Sequence, residues 1–193
     1  MTISRTTPLT IAIIGAGPLG RSLALRAAQA GLSVALEDVM PANLRHAQEA
    51  LRASLGEALM AEQAGEAPRV SFASTIEEAV RAADIAIDCV PDELESKLEI
   101  FSLLDRMAPP RTILLTPLKA VSIADLASCT YRAERCVAIA LNAAELTAAP
   151  AAETMIPLVR TARTLPDVEE TVAEFWRRMG CGVAFATDDG AGR

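Results

Sequence analysis

Aromatic side chains are nearly absent: one Trp, one Tyr and four Phe in 193 residues, with a net charge of −7. The chain therefore has neither the stacking platforms nor the positive field that nucleic-acid binding needs. Histidine is scarcer still. The single copy, His46, falls in a stretch with helical periodicity, where it reads as an exposed helical residue rather than a proton-transfer group. The four cysteines, Cys89, Cys129, Cys136 and Cys181, show no C-x-x-C or Cys/His spacing. That removes a zinc site of the usual kind, and no metal is expected. Their apolar neighbours predict small buried hydrophobes, without disulfides in a reducing compartment. Long apolar runs are missing too. No segment approaches a membrane-spanning length, and the start M-T-I-S-R-T-T-P has no signal-peptide core. The expectation is a cytoplasmic protein without a membrane or nucleic-acid partner.

What is present is a globular composition, 51% hydrophobic and 22% charged, on a length that suits one domain with a substantial core. Residues Leu9 to Gly20 read L-T-I-A-I-I-G-A-G-P-L-G, an apolar β-type run breaking into Gly15, Gly17 and Gly20. In a dinucleotide site these three glycines serve different ends. The first permits a tight strand-to-helix turn, the second a close backbone approach to a pyrophosphate, and the third close packing of helix on strand. The helix expected from Pro18 to Ala30 starts with Pro18 and Leu19 and points its unpaired N–H groups and positive dipole end at phosphate. A second short run, Ser33 to Leu36, delivers Glu37 and Asp38. Asp38 lies 18 residues past Gly20, the spacing of an acid that accepts the adenosine ribose 2′-OH. Glu37 should alternate to the other side of the strand. An anion at Asp38 repels a 2′-phosphate, so the implied cofactor is NAD rather than NADP, and Arg45 sits too far along the next helix to reverse that preference.

Further along, Leu44 to Ala64 carries apolar residues at helical spacing, and Gly65 to Pro68 breaks the chain. Val70 to Phe72 reads as a strand, and Ser74-Thr-Ile-Glu77 has the reciprocal capping spacing of a helix start reaching to Ala82. Asp84 to Val90 reads as a buried parallel strand that Pro91 ends, before a helix through Met107. Thr112–Thr116, Cys136–Leu141, Met155–Arg160 and Gly182–Ala186 are further strand candidates, with helices around Ile123–Ser128 and Pro166–Met179. Alternation of this kind predicts an α/β fold, a Rossmann-type, doubly wound, mainly parallel sheet of about eight strands in a single domain. The domain should span 9–187, between a flexible N-terminus (1–8) and a flexible C-terminal tail (188–193).

With these segments in order, the chain resembles the NAD-binding domain of the 3-hydroxyacyl-CoA dehydrogenase family. The carrying residues are I-A-I-I-G-A-G-P-L-G, the L-E-D-V around Asp38, and A-A-D-I-A-I-D-C-V-P-D-E-L-E-S-K ending at Lys97. The resemblance implies that the turn Val90–Pro91–Asp92, with Asp92 where the family usually has Glu, and Lys97 contact the nicotinamide-side ribose. It also shows where this chain departs. The family's general base is a histidine after the sixth strand, oriented by a glutamate on the seventh; here Ala140 and Pro157 occupy those positions. A serine after the fifth strand becomes Lys119, a candidate base if desolvated, and Asn142 is a candidate donor to a substrate oxygen or a capping residue. Ser54 matches a CoA-binding serine, but L-G-E-A-L-M-A-E-Q after it carries no basic residue to hold a polyphosphate. The family continues into a helical C-terminal domain, whereas this sequence stops at D-D-G-A-G-R.

Two readings follow. In the first the chain binds NAD(H) as a cofactor-binding subunit or redox sensor without the family's 3-hydroxyacyl-CoA oxidation. In the second it is an NAD-dependent oxidoreductase of a small alcohol or ketone, with Lys119 as base and the cleft completed by a second subunit. A scaffold without nucleotide is disfavoured because Gly15, Gly17, Gly20, Asp38 and Lys97 all remain. Fatty-acid metabolism is the implied setting, and the apolar stretch Val137 to Ala144 is the expected surface for a homodimer or a partner subunit.

Overall fold

A computed structural model describes residues 9–56, 70–119, 121–148 and 154–188. Eight strands form one sheet: β1 (Thr10–Ile14), β2 (Ser33–Glu37), β3 (Val70–Ala73), β4 (Ile85–Asp88), β5 (Ile113–Pro117), β6 (Cys136–Ile139), β7 (Met155–Thr161) and β8 (Gly182–Asp188). Their order is β3-β2-β1-β4-β5-β6-β7-β8. Every pairing is parallel except β6 with β7. The expected Rossmann-type sheet is therefore what forms. The switch point, where strand order reverses between β1 and β4, is the crevice in which such sheets bind ligands.

Helices α1 (Pro18–Gln29), α2 (Pro41–Leu55), α6 (Ala143–Ala148) and α7 (Pro166–Arg178) cover one face of the sheet, and α3 (Ile76–Val80), α4 (Leu94–Met107) and α5 (Ile123–Ser128) the other. Alternation along each strand divides the core accordingly. Ile11, Ile13, Leu36, Ile85 and Ile87 face the first set, and Ala12, Ile14, Ala86 and Leu114 the second. Phe101 and Leu104 of α4 are fully buried, each contributing about 1.5–3 kcal/mol of apolar transfer. Alanines on the second face let α3 and α4 lie close to the strands.

Several boundaries differ from the sequence expectation. The helix after Asp38 starts at Pro41, three residues earlier than expected, and its continuation to Ala64 and the break at Gly65–Pro68 lie outside the described residues. Helix α3 is capped by Thr75, whose side chain accepts the Glu78 N–H at 3.3 Å, rather than by Ser74. Ala79 and Val80 of that helix are buried in the core. Asp188, expected in the tail, ends β8 instead and accepts hydrogen bonds from Ser122 Oγ (2.6 Å) and the Ala124 N–H (3.2 Å) at the start of α5. Cys136 and Cys181 are buried as expected, but Cys129 is exposed.

Candidate functional site

The turn between β1 and α1 shows why each glycine is needed. Gly15 has φ of +104°, and a Cβ there would also press on the Cys89 carbonyl at 3.3 Å. At Gly20 a Cβ would fall 1.9 Å from the Gly15 carbonyl oxygen, so only glycine lets α1 pack this close. Gly17 differs: among the described residues, its chain neighbours aside, nothing lies within 4 Å of its Cβ position. It opens onto free space beside the start of α1, which has no side-chain cap and carries Pro18 in its first turn. Uncapped first-turn N–H groups bordering an open cradle fit a diphosphate.

Two hydrogen bonds latch this turn to the end of β2. The Gly15 N–H donates to the Glu37 carbonyl (2.8 Å) and the Ala16 N–H to Asp38 Oδ2 (2.8 Å). Asp38 Oδ1 accepts from the Met40 N–H at 2.8 Å, and the Asn43 amide donates to both carboxylate oxygens at 3.1 Å. Asp38 thus sits at the carboxyl edge beside the glycine turn, with the exposed Asn43 on its outer side. His46 is exposed on α2, well away from strands β4 to β6.

Glu37 is 5% exposed and lies in register with Ile14 and Ala73, on the opposite face from Leu36. Burial, and then the neighbouring Asp38 charge, push its carboxyl up to about 7 from 4.5. A carboxyl whose folded value is raised holds its proton better when folded. The contribution of Glu37 to stability should therefore be fully present below about pH 4.5, be lost as pH rises from about 4.5 to about 7, and stay lost above. Glu37→Gln is expected to flatten that slope and to raise stability at pH 8 by about 1–3 kcal/mol. Urea denaturation at several pH values checks it, and an unchanged slope would disprove it.

At the end of β4 the structure departs furthest from expectation. Lys97, expected to reach a ribose, is 1% exposed and points inward. Its ammonium donates to Asp88 Oδ2 (3.1 Å), Thr116 Oγ1 (3.0 Å) and the Val90 carbonyl (3.3 Å), which accounts for all three of its protons. Asp88 is wholly buried. It also accepts from the Val90 N–H (2.9 Å) and from Thr116 Oγ1 (3.1 Å). Burial pushes the Asp88 carboxyl up, against the pull of the Lys97 charge and of the Val90 and Thr116 donors. Asp88 and Thr116 were invisible as site residues in the sequence, although an acid inside the apolar run I-A-I-D-C-V was the available signal. The adjoining Cys89 thiol is pushed far up, by burial first and by Asp88 second, which favours its protonated form.

Val90 is half-buried at the crevice edge, while Pro91 and Asp92 are exposed. Asp92 Oδ2 accepts the Lys119 backbone N–H at 3.2 Å, tying the loops after β4 and β5 together. The Lys119 side chain is 44% exposed, and its ammonium pairs with Glu145 Oε1 at 2.6 Å. The desolvation that a lysine base requires is missing there. Asn142 caps α6. Its Oδ1 accepts the Glu145 N–H (2.9 Å), and its own N–H donates to Glu145 Oε2 (2.8 Å), a reciprocal capping box. Of the expected dimer surface, Val137 to Ile139 are buried inside the sheet between β5 and β7, so those three residues form no interface. The Ser54 hydroxyl is turned back onto its own helix, donating to the Ala50 carbonyl at 3.0 Å.

Ala140 and Pro157, which the sequence resemblance sets at the positions of the family's base and its orienter, are neighbours, with the Ala140 N–H donating to the Pro157 carbonyl at 2.9 Å. Beside them lies a cavity of about 430 Å³, lined by Leu118, Lys119, Val121, Ile123, Ala138, Ala140, Val159 and Asp188.

Comparison with known proteins bears on the family and the fold. Residues 10–188 match the family model described as 3-hydroxyacyl-CoA dehydrogenase, NAD binding domain. L-carnitine dehydrogenase from Burkholderia mallei is 33% identical over 181 residues, covering 89% of this chain and 52% of the relative. 3-Hydroxybutyryl-CoA dehydrogenase from Bradyrhizobium diazoefficiens is 28% identical over 183 residues, covering 92% of this chain and 61% of the relative. Among solved structures, a 5-formyl-3-hydroxy-2-methylpyridine 4-carboxylic acid 5-dehydrogenase, described as an NAD+-dependent dismutase, superposes with a TM-score of 0.76 at 27% identity. It covers 95% of this chain and 59% of that one. The chain spans about half the length of the curated relatives it matches.

Proposed function

This chain belongs to the 3-hydroxyacyl-CoA dehydrogenase family through its NAD-binding domain, and from that premise we propose that it binds NAD(H) without carrying out the family's 3-hydroxyacyl-CoA oxidation, as a cofactor-binding subunit or redox sensor. The observation that carries this reading is the pairing of Ala140 with Pro157. The two are neighbours, the resemblance sets them where a base and its orienter would be, and neither side chain can take a proton. A general base contributes about 10²–10⁴ in rate, so a pocket that only positions its reactants would be a poor enzyme. Lys119 does not replace the base, since its ammonium is exposed and paired with Glu145.

The cofactor, when bound, exchanges a hydride at its nicotinamide ring. This chain's own residues do the holding. The turn Gly15–Gly17 and the first N–H groups of α1, at Leu19 and Gly20, receive the diphosphate. Asp38 accepts an adenosine ribose hydroxyl in place of the Asn43 amide, and the turn Val90–Pro91–Asp92 borders the second ribose. Lys97 acts beneath that turn by fixing the Val90 carbonyl. On this reading the domain works in the cytoplasm, in the fatty-acid metabolism to which its 3-hydroxybutyryl-CoA dehydrogenase relatives point. It would do so as a homodimer or beside a partner subunit. The surface open to such a partner is a face of β7 and β8, where Met155, Ala184 and Ala186 are exposed.

Calorimetric titration tests the proposal. NADH should bind at micromolar concentration and NADPH at least about tenfold more weakly, because Asp38 repels a 2′-phosphate. Acetoacetyl-CoA should leave NADH unoxidised. Absence of NADH binding, or steady turnover of acetoacetyl-CoA, would overturn the reading.

A further inference from the structure

The cavity beside Ala140 has a chemistry of its own. Its described lining is aliphatic on most sides: Leu118, Val121, Ile123, Ala138, Ala140 and Val159. The two ionic residues at its edge, Lys119 and Asp188, cancel in net charge, and each is already engaged. The Lys119 ammonium is held by Glu145 Oε1 at 2.6 Å. Asp188 Oδ2 accepts from the Ser122 hydroxyl and from the Ala124 N–H at the start of α5. A ligand carrying a net charge would meet no uncompensated opposite charge and would lose its hydration on entry. An uncharged ligand loses little, and the ammonium of Lys119 has two protons beyond the one given to Glu145.

We propose that this cavity is a binding site for a small uncharged aliphatic ketone or alcohol, whose carbon skeleton packs against Ala138, Val159 and Ile123 and whose oxygen accepts a hydrogen bond from Lys119 at the rim. Its volume, at the small end of ligand pockets, suits a molecule of on the order of ten non-hydrogen atoms. It lies where the positions matching the family's catalytic pair have become Ala140 and Pro157, so the assignment rests on the family reading for its place next to the cofactor. It does not rest on that reading for its ligand. The proposal concerns binding and requires no turnover. CoA thioesters are excluded on the same grounds, since no uncompensated cation among the described residues lines the cavity to meet their phosphates.

A matched set of probes separates the possibilities: cyclohexanone, cyclohexanecarboxylate and cyclohexylammonium, which share a skeleton and differ in charge. Each is titrated into the full chain, with and without saturating NADH, and followed by saturation-transfer NMR. The ketone should bind with Kd in roughly the millimolar range, as its size allows, and at least about threefold more tightly than either ion. Val159→Phe fills the cavity from the sheet side, and Val121→Phe fills it from the loop side. Each variant, if folded by thermal melt, should weaken the ketone at least tenfold and leave the NADH affinity within twofold. Equal or tighter binding of either ion, or undiminished ketone binding in a folded filled variant, would overturn the proposal. Ketone binding that persists in a chain unable to bind NADH would count against the proposed cofactor function alone.

Discussion

Gly20→Ala is expected to abolish measurable NADH binding and to lower stability by about 3 kcal/mol or more. The added methyl would stand 1.9 Å from the Gly15 carbonyl oxygen, an overlap with backbone that no rotamer can relieve. Either α1 must move off β1 or the turn must open, and both actions pull the first helical N–H groups away from the diphosphate cradle. Gly17→Ala provides the control. Its methyl meets no atom of the described residues within 4 Å apart from its chain neighbours, and Gly17 has an ordinary extended backbone (φ −66°, ψ −173°). That variant should melt like the parent yet bind NADH at least about tenfold more weakly, because the methyl occupies the space of the ligand. If Gly17→Ala bound NADH normally, the cradle would not be where the diphosphate sits. If Gly20→Ala were as stable as the parent, the close packing of α1 on β1 would be wrong.

Lys97→Met should cost about 3–5 kcal/mol, because it leaves the Asp88 carboxylate buried without its counter-charge. For a chain of this size that corresponds to a fall in Tm of about 10 °C. The companion Asp88→Asn/Lys97→Met double variant removes both charges, while the Asn side chain can still accept from the Val90 N–H and donate toward Thr116. It should recover most of the lost stability, since a buried ion pair replaced by neutral groups of similar volume is often close to neutral in energy. NADH affinity should stay reduced several-fold in the double variant, because the Val90 carbonyl has lost its donor and the turn that borders the ribose is less well held. A direct ribose contact by Lys97 predicts the opposite pattern for the single variant: weaker NADH binding at unchanged Tm. Thermal melts and calorimetry on both variants distinguish the two.

The inward turn of Lys97 shows the limit of reading a site from spacing alone. Its distance along the chain from Val90 marks it as a residue near the crevice, and so it is. Whether a long side chain on the first turn of α4 reaches out to ligand or down into the sheet depends on what the adjacent strand offers. Here β5 brings Thr116 next to Asp88, from 28 residues away. A buried acid attracts the lysine, because among the described residues no other counter-charge meets it in a medium of low polarity. Lys119 is unsuited to act as a base for a related reason. Its position after β5 is correct, but α6 presents Glu145 to it across the top of β6, and the ion pair forms at the surface.

Local chemistry, by contrast, was legible apart from the start of α2 and the Thr75 cap of α3. The three glycines, Pro18 in the first turn of α1, the acid at the end of β2 and the apolar runs of β1, β4 and β5 are short-range features. Each specifies a backbone conformation or a buried strand within a few residues, so the α/β alternation and the cofactor turn follow from the sequence itself. The antiparallel entry of β7, the burial of Val137–Ile139 between β5 and β7, the Asp88–Lys97–Thr116 cluster and the cavity beside Ala140 arise between segments distant in the chain. Periodicity determines which face of a strand is apolar, but not which strand lies alongside it. Those partnerships, and with them the environment of each charged side chain, were decided only when the sheet closed in its final order.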